Sequence, residues 1–307
     1  MIKLSGLTKR FDTLVAVNQV SLQVGAGEVL ALLGPNGAGK TTTVRMLSAI
    51  LRPTAGAACI AGFDVVEAPQ EVRRRVGVLT EAPGLYTRMN GYEYLDFFGE
   101  ARGMNLPQRR ERIQSLAEQF EMTPVLYRRL GEYSKGMAQK IALIRTLLHD
   151  PPVLLLDEPT SAMDPQSARL VRDAIKQMRA TDRTIIICTH NLPEAEELAD
   201  RIAIIRDGSI RAEGTAAELK LQLLGPALME VQFAEPPRNG IITAIEPFVS
   251  VIATGERWLR YQTTEPEQVN PQVLRVLFEK GAAVMLLSEV PHSLEAVYLR
   301  VMEGGLS

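Results

Sequence analysis

Short apolar runs alternate with helix-like segments along the first two thirds of the chain. The runs lie at residues 29–33, 76–79, 153–156, 184–188 and 202–205. Runs of this kind, bounded by glycine or polar residues, are typical of buried strands in a parallel sheet. Between two of them, apolar residues recur on one helical face: Leu170, Val171, Ala174, Ile175 and Met178. Strands that alternate with helices predict an α/β fold.

Two other regions have a different pattern. Residues 82–140 are rich in charge, aromatic side chains and helical spacing, which predicts a helical subdomain. The pattern changes at residues 225–238, which contain Gly225-Pro226 and Pro236-Pro237. Alternating apolar segments and two helical segments follow this change. We therefore predict a main domain over 1–222, with the helical subdomain at about 82–140, and a small α+β domain over 223–307.

Composition narrows the function classes. The 307 residues are 46% hydrophobic and carry a formal net charge of −2, so the chain as a whole has no basic character that would favour nucleic acid. Cys59 and Cys188 lie far apart without metal-ligand spacing, which fits a reduced, cytosolic setting. No apolar stretch approaches the roughly 20 residues of a membrane-spanning helix. If the protein acts at a membrane, we therefore expect it to do so by binding a partner protein.

A glycine-rich loop follows the run 29–33 and precedes a helical segment. It matches G-x-x-x-x-G-K-[ST] and reads Gly34-Pro35-Asn36-Gly37-Ala38-Gly39-Lys40-Thr41. Such a loop turns backbone N–H groups toward phosphate oxygens, and the next helix adds its positive N-terminus. Lys40 would neutralise the β- and γ-phosphates, and the Thr41 hydroxyl would coordinate Mg²⁺. We assign this loop, with Thr42 after it, to ATP.

Two carboxylates follow the run 153–156. Asp157 is placed to hold Mg²⁺, and Glu158 to orient or deprotonate an attacking water. On its own, an Asp-Glu pair at a strand end is more often solvated. Together with the phosphate loop, it predicts nucleotide hydrolysis.

The ordered motifs of residues 1–220 resemble the ATP-binding subunit of an ABC transporter. Ser134 and Gly136 lie in Tyr133-Ser134-Lys135-Gly136-Met137, where the family carries Leu-Ser-Gly-Gly-Gln. Asp164 closes Ser161-Ala162-Met163-Asp164, which is similar to the family's D-loop, and His190 is similar to its switch histidine. Tyr133, Lys135 and Met137 depart from the family pattern. The resemblance implies a P-loop ATPase fold with an antiparallel β part at the N-terminus, and hydrolysis of ATP with Mg²⁺.

The resemblance also implies roles for individual residues. Ser134 and Gly136 would face ATP held by a second copy of the chain, Asp164 would belong to the nucleotide-binding residues, and His190 would contact a γ-phosphate. Phe11 would stack on adenine with Val17 packed nearby, although an aromatic residue there could equally belong to the core. Glu81 stands where the family has a glutamine and would keep the metal-binding role. An exposed loop carboxylate is the alternative.

Partners and location follow from the same resemblance. It implies integral-membrane transporter subunits on separate chains, a second ATPase subunit and no nucleic acid, at the cytoplasmic face of the cell membrane. Residues 293–299 resemble the C-terminal extension of exporter-type ATPases, with a role in dimerisation, regulation or stability left open. The alternatives are a soluble ABC-type ATPase acting on nucleic acid or ribosomes, and a P-loop GTPase or kinase.

Overall fold

The computed structural model describes residues 1–161, 163–179, 182–237, 240–290 and 293–303. The chain divides into two compact units, Met1–Thr215 and Ala216–Ser307. Among the described residues, the first unit has two sheets and two buried core clusters, and the second has one sheet and one core cluster.

The first unit contains ten strands and seven α-helices among its described residues. The strands are β1 (Ile2–Phe11), β2 (Leu14–Val24), β3 (Val29–Leu33), β4 (Ala55–Ile60), β5 (Phe63–Asp64), β6 (Val76–Leu79), β7 (Val153–Asp157), β8 (Thr184–Thr189), β9 (Arg201–Arg206) and β10 (Ser209–Gly214). The helices are α1 (Lys40–Leu47), α2 (Pro69–Arg75), α3 (Gly91–Ala101), α4 (Leu106–Gln119), α5 (Lys135–Leu147), α6 (Pro165–Arg179) and α7 (Leu192–Leu198). Short 3₁₀ turns lie at Thr123–Val125 and Leu130–Glu132.

The central sheet brings the predicted site residues to one edge. Its strand order is β10-β9-β3-β8-β7-β6, and every pair is parallel except the antiparallel edge pair β9–β10. Every residue of β3, β7 and β8 is buried, as the continuous apolar runs predicted. Leu33 lies opposite Thr189, and Asp157 lies opposite Cys188. The loops that follow β3, β7 and β8 therefore meet at the carboxyl edge of the sheet, where open α/β sheets bind ligands.

A second, antiparallel sheet has the strand order β2-β1-β4-β5. The resemblance to ABC ATPases implied this antiparallel part, and the structure confirms it. Leu7, Val17 and Val20 from this sheet share one core with Leu30 and Leu32 of β3. This core fixes the strand β2 against the phosphate loop.

The helical subdomain consists of α3, α4 and α5 around a core that includes Tyr94, Phe120 and Ile141. Asn90 and Asn105 start α3 and α4 with reciprocal capping boxes to the third residue of each helix. The predicted end at residue 140 falls within α5, which continues to Leu147. This helix precedes β7 in the chain, and its apolar residues belong to the same buried core as Leu154 and Leu156 of β7.

The second unit is a small α+β fold. Its elements are α8 (Ala216–Leu224), β11 (Ala227–Phe233), α9 (Ile241–Ile245), β12 (Ser250–Thr254), β13 (Trp258–Thr263), α10 (Pro266–Glu279), β14 (Val284–Val290) and α11 (Leu294–Glu303). The sheet is antiparallel in the order β12-β13-β11-β14, and α9 and α10 share its core. No helix among the described residues is long and apolar enough to cross a membrane.

The division between the units falls after Thr215, whereas the sequence placed it after residue 222. The physical reason is α8, whose buried Leu219 and Leu223 lie on a helix that packs against α11. A boundary at 222 would cut this helix. The glycine and proline residues that suggested the boundary follow its last turn.

Candidate functional site

The phosphate loop is held so closely to its neighbours that two of its positions need glycine. A Cβ on Gly34 would lie 2.4 Å from the carbonyl oxygen of Ile205. Gly39 has a φ of +105°, and a Cβ there would lie 2.5 Å from the carbonyl oxygen of Ala16. Any other residue would force the backbone apart at both places. The glycines of the motif thus serve packing as well as phosphate access.

Lys40, the first residue of α1, is 6% exposed and points into the loop. Its Nζ donates to the carbonyl oxygens of Gly34, at 2.6 Å, and Pro35, at 3.1 Å. The same atom lies 4.0 Å from Oε1 of Glu158. A buried ammonium group must be surrounded by oxygen atoms. The structure therefore holds the cation where a phosphate chain seated in the loop would meet it.

Thr41 and Asp157 meet across the edge of the sheet. The hydroxyl of Thr41 donates to Oδ2 of Asp157 at 2.7 Å. Burial raises the pKa of Asp157, and the negative charges of Glu158 and Glu81 raise it further. The hydrogen bond from Thr41 acts in the opposite direction. A carboxylate destabilised by its surroundings is a strong acceptor for a cation.

These oxygens fit Mg²⁺, which takes one or two carboxylates and completes its shell with phosphates and water. No cluster of three or more His, Cys, Asp or Glu side chains able to hold a metal occurs in the described parts of the chain. The donor set suits a cation that arrives with a triphosphate.

Glu158 and His190 form the second pair of the site. Nδ1 of His190 lies 2.7 Å from Oε1 of Glu158. Glu158 is 7% exposed and has a left-handed backbone with a φ of +50°. Its N–H donates to the carbonyl of Cys188 at 2.8 Å, and its own carbonyl accepts from the side chain of Gln139 at 3.2 Å. Two backbone hydrogen bonds thus hold Glu158 in place, and His190 holds its carboxylate beside the phosphate loop.

Ser134, Gly136 and Asp164, the predicted residues of segments 133–137 and 161–164, lie at the starts of two helices. Oγ of Ser134 caps α5 by accepting from the N–H of Met137 at 3.2 Å. Gly136 lies against Met163 of the D-loop, whereas Ala162 is outside the described residues. Oδ1 of Asp164 accepts from the N–H of Ser167 at 3.0 Å, and this bond lowers the pKa of Asp164. Within the described residues, neither Ser134 nor Asp164 bonds to the phosphate loop of its own chain.

The remaining predicted residues lie at different depths around the loop. Phe11 is 43% exposed, and the ammonium group of Lys9 lies 5.0 Å from the centre of its ring. Val17 is fully buried beneath Gly39, so it supports the loop from below and has no exposed surface for a base. Glu81 is exposed in the segment after β6, close enough for its charge to act on Asp157. Asn36 and Gly37 form the exposed tip of the loop, with Ala38 buried and Thr42 half-buried.

Four residues that contact the site were not predicted, namely Gln139, Thr160, Thr189 and Glu194. Glu194, on α7, accepts hydrogen bonds from Thr160 and Thr189, and the side chain of Gln139 donates to the backbone carbonyl of Glu158. The sequence carries one signal for Glu194, since Asn191-x-x-Glu194 matches the spacing of a helix capping box. That signal would have assigned the carboxylate to the helix start. Its contact with two other loops depends on the folded sheet.

Fold and site together define a P-loop nucleoside triphosphate hydrolase. The family model described as ABC transporter matches residues 17–161. The chain is 40% identical over 224 residues to the ABC transporter ATP-binding protein NatA of Bacillus subtilis, a match that covers 71% of this chain and 91% of the relative. It is 34% identical over 301 residues to the daunorubicin resistance ATP-binding protein DrrA3 of Streptomyces coeruleorubidus, covering 98% of this chain and 95% of the relative.

Two further matches agree. The Nod factor export ATP-binding protein I of Rhizobium sp. strain N33 is 35% identical over 300 residues, covering 98% of this chain and 96% of the relative. A solved ATP-binding subunit of an ABC transporter has a TM-score of 0.69 at 28% identity and covers 73% of this chain and 94% of its own. The chain belongs to the family of ABC transporter ATP-binding subunits, and ATP binding and hydrolysis are its activity.

Proposed function

We propose that this chain powers a membrane exporter. Two copies would close around ATP at the cytoplasmic face of the cell membrane and drive integral-membrane subunits made as separate chains. One observation carries the proposal: relatives named for export or drug resistance match 98% of the chain, including the second unit.

Within each site, the phosphate loop binds the triphosphate, and the buried Lys40 neutralises its terminal phosphates. Thr41 and Asp157 would hold Mg²⁺, with Glu81 beside them. When bound, the ion would offset the charge that develops on the phosphate oxygens. Glu158 orients or deprotonates the attacking water, and His190 holds the Glu158 carboxylate and reaches the γ-phosphate. Phe11 offers its exposed ring to adenine.

Ser134, Gly136 and Asp164 complete the site of a second copy. Ser134 and Gly136 lie at the N-terminus of α5, where N–H groups attract anions. Ser134 and Asp164 make their described hydrogen bonds within their own helix starts. This supports a site shared between two chains, with the triphosphate bound by one chain and covered by the other.

The test traps the ATP-bound state and identifies what accompanies it. Glu158→Gln keeps the side-chain size but removes the base, so ATP should bind and persist. Affinity purification from detergent-solubilised cells with ATP should recover an integral-membrane protein with Glu158→Gln. The matched control, Glu158→Gln combined with Lys40→Ala, should lose the ATP dependence of that recovery. Recovery of nucleic acid or ribosomes without a membrane protein would overturn the exporter proposal in favour of a soluble ABC-type ATPase.

A further inference from the structure

Glu194 is a buried carboxylate that joins two loops of the site. It lies on α7 and is 3% exposed. Oε1 accepts a hydrogen bond from the hydroxyl of Thr160 at 2.6 Å, and Oε2 accepts one from the hydroxyl of Thr189 at 2.7 Å. Both carboxylate oxygens are therefore used, one for each loop.

The two threonines are close in sequence to the residues that carry the chemistry. Thr160 comes two positions after Glu158, and Thr189 directly precedes His190. Oγ1 of Thr189 also accepts from the N–H of Asn191 at 3.0 Å, while Oδ1 of Asn191 accepts from the N–H of Glu194 at 3.1 Å. The turn that carries His190 is thus bonded on both sides of the imidazole.

A carboxylate at this depth is not explained by packing. Burial raises the pKa of Glu194, and the two threonine hydroxyl groups act against that shift. An apolar side chain of similar size would fill the space without the desolvation penalty. The carboxylate instead constrains geometry, because its two oxygens each accept a short hydrogen bond from a different loop and so fix the distance between the loops.

We propose that Glu194 is a positioning residue for ATP hydrolysis, holding Glu158 and His190 at their working separation through Thr160 and Thr189. The inference rests on the roles proposed above for those two residues. Glu194 contacts neither of them through its side chain in the described structure; its effect passes through the two loops. Displacing a reacting group by about 1 Å can lower a rate on the order of 100-fold. Loss of one bond should therefore slow catalysis without weakening ATP binding.

The sharpest comparison is Thr160→Val against Thr160→Ser in the full-length chain. Valine keeps the volume and removes the hydroxyl, whereas serine keeps the hydroxyl. We expect Thr160→Val and Glu194→Gln to lower kcat for ATP about ten-fold with KM within about two-fold of the original. Thr160→Ser should stay within about two-fold in both constants. The double variant Thr160→Val with Glu194→Gln should be little slower than either single variant, because Thr160→Val removes the hydrogen bond that the uncharged side chain in Glu194→Gln weakens.

Three outcomes overturn the inference: unchanged kcat in Thr160→Val, a Thr160→Ser variant as slow as Thr160→Val, or losses that multiply in the double variant. Thermal unfolding and ATP binding of each variant show whether a loss of rate reflects unfolding. Thr160→Val serves as the second variant should Glu194→Gln fail to fold. Glu158→Gln is measured in parallel: if it keeps full turnover, the proposed catalytic role of Glu158 fails. If it is inactive while Thr160→Val is fully active, only the role of Glu194 fails.

Discussion

Nδ1 of His190 lies 2.7 Å from Oε1 of Glu158, across the carboxyl ends of the neighbouring strands β7 and β8. The two residues differ in setting, since Glu158 is buried and the side chain of His190 is 58% exposed. The imidazole therefore approaches the carboxylate from the solvent side. This contact supports the proposed catalytic pairing of Glu158 and His190.

Replacing His190 with Ala should lower kcat about 10- to 100-fold and leave KM for ATP nearly unchanged. The side chain orients the carboxylate, and the loop that binds the phosphates stays intact. Because His190 is largely exposed, the free energy of unfolding should change by less than about 0.5 kcal/mol. Steady-state phosphate release and thermal unfolding check both statements. An unchanged kcat would show that the contact has no catalytic role.

Thr41→Val should raise the Mg²⁺ concentration needed for half-maximal turnover about ten-fold, an order-of-magnitude expectation for one lost ligand. The change removes the hydroxyl that donates to Asp157 and is placed to bind the ion. Thr41→Ser, which keeps this hydroxyl, is the matched control and should behave like the original chain. Mg²⁺ titration of ATP turnover is the measurement, and identical curves for Val and Ser would remove Thr41 from the metal site.

Phe11→Ala should weaken ATP binding by about 5- to 150-fold if its ring stacks on adenine, since such stacking contributes about 1–3 kcal/mol. Leu14 pairs directly with Phe11 in the β1–β2 hairpin and is 64% exposed. Leu14→Ala is therefore a control for apolar surface at the same place and should leave affinity unchanged. Equilibrium binding of a fluorescent ATP analogue separates the two. Equal losses in both variants would argue against stacking.

His149 should make the fold sensitive to mild acid. Burial lowers its pKa from 6.5 to about 4, with a smaller contribution from the charge of Arg102. Between these values the unfolded chain binds a proton that the folded chain does not, so the free energy of unfolding falls as pH falls. From about pH 7.5 to about pH 5.5, this group should remove about 1.3 kcal/mol.

The check is urea unfolding of the original chain and of His149→Gln at both pH values. Glutamine does not titrate, so the variant should lose less stability than the original over this range. The difference between the two pH slopes isolates His149 from other titrating groups. Equal slopes would mean that His149 is protonated equally in the folded and unfolded chain.

The sequence was sufficient to predict the elements that surround the phosphate loop. The run 29–33, the glycine loop and the following helix occur in the predicted order, and Thr41 meets Asp157 because parallel strands end at a common edge. Local pattern also predicted β7 and β8 and the α+β character of the second unit. These features depend on short-range spacing or on general rules of sheet topology.

Features that depend on long-range contacts were not predictable in the same way. Glu194 has the spacing of a capping residue, yet its side chain turns inward because Thr160 and Thr189 arrive there from two other segments. The pattern around Phe11 and Val17 could not show which residue faces outward, and the structure exposes Phe11 while burying Val17. The boundary at Thr215 is likewise set by the packing of α8 on α11.

Under the proposed function, ATP bound by the loop of one chain is hydrolysed only when a second chain supplies Ser134 and Gly136. The direct measurement is phosphate release per chain over a range of protein concentrations, with the molar mass of the same samples determined by light scattering. Turnover should rise in step with the fraction of dimer, and Lys40→Ala should be inactive at every concentration. A chain that keeps the mass of a monomer throughout and still hydrolyses ATP at its full rate would overturn the proposed sharing of the site between two chains.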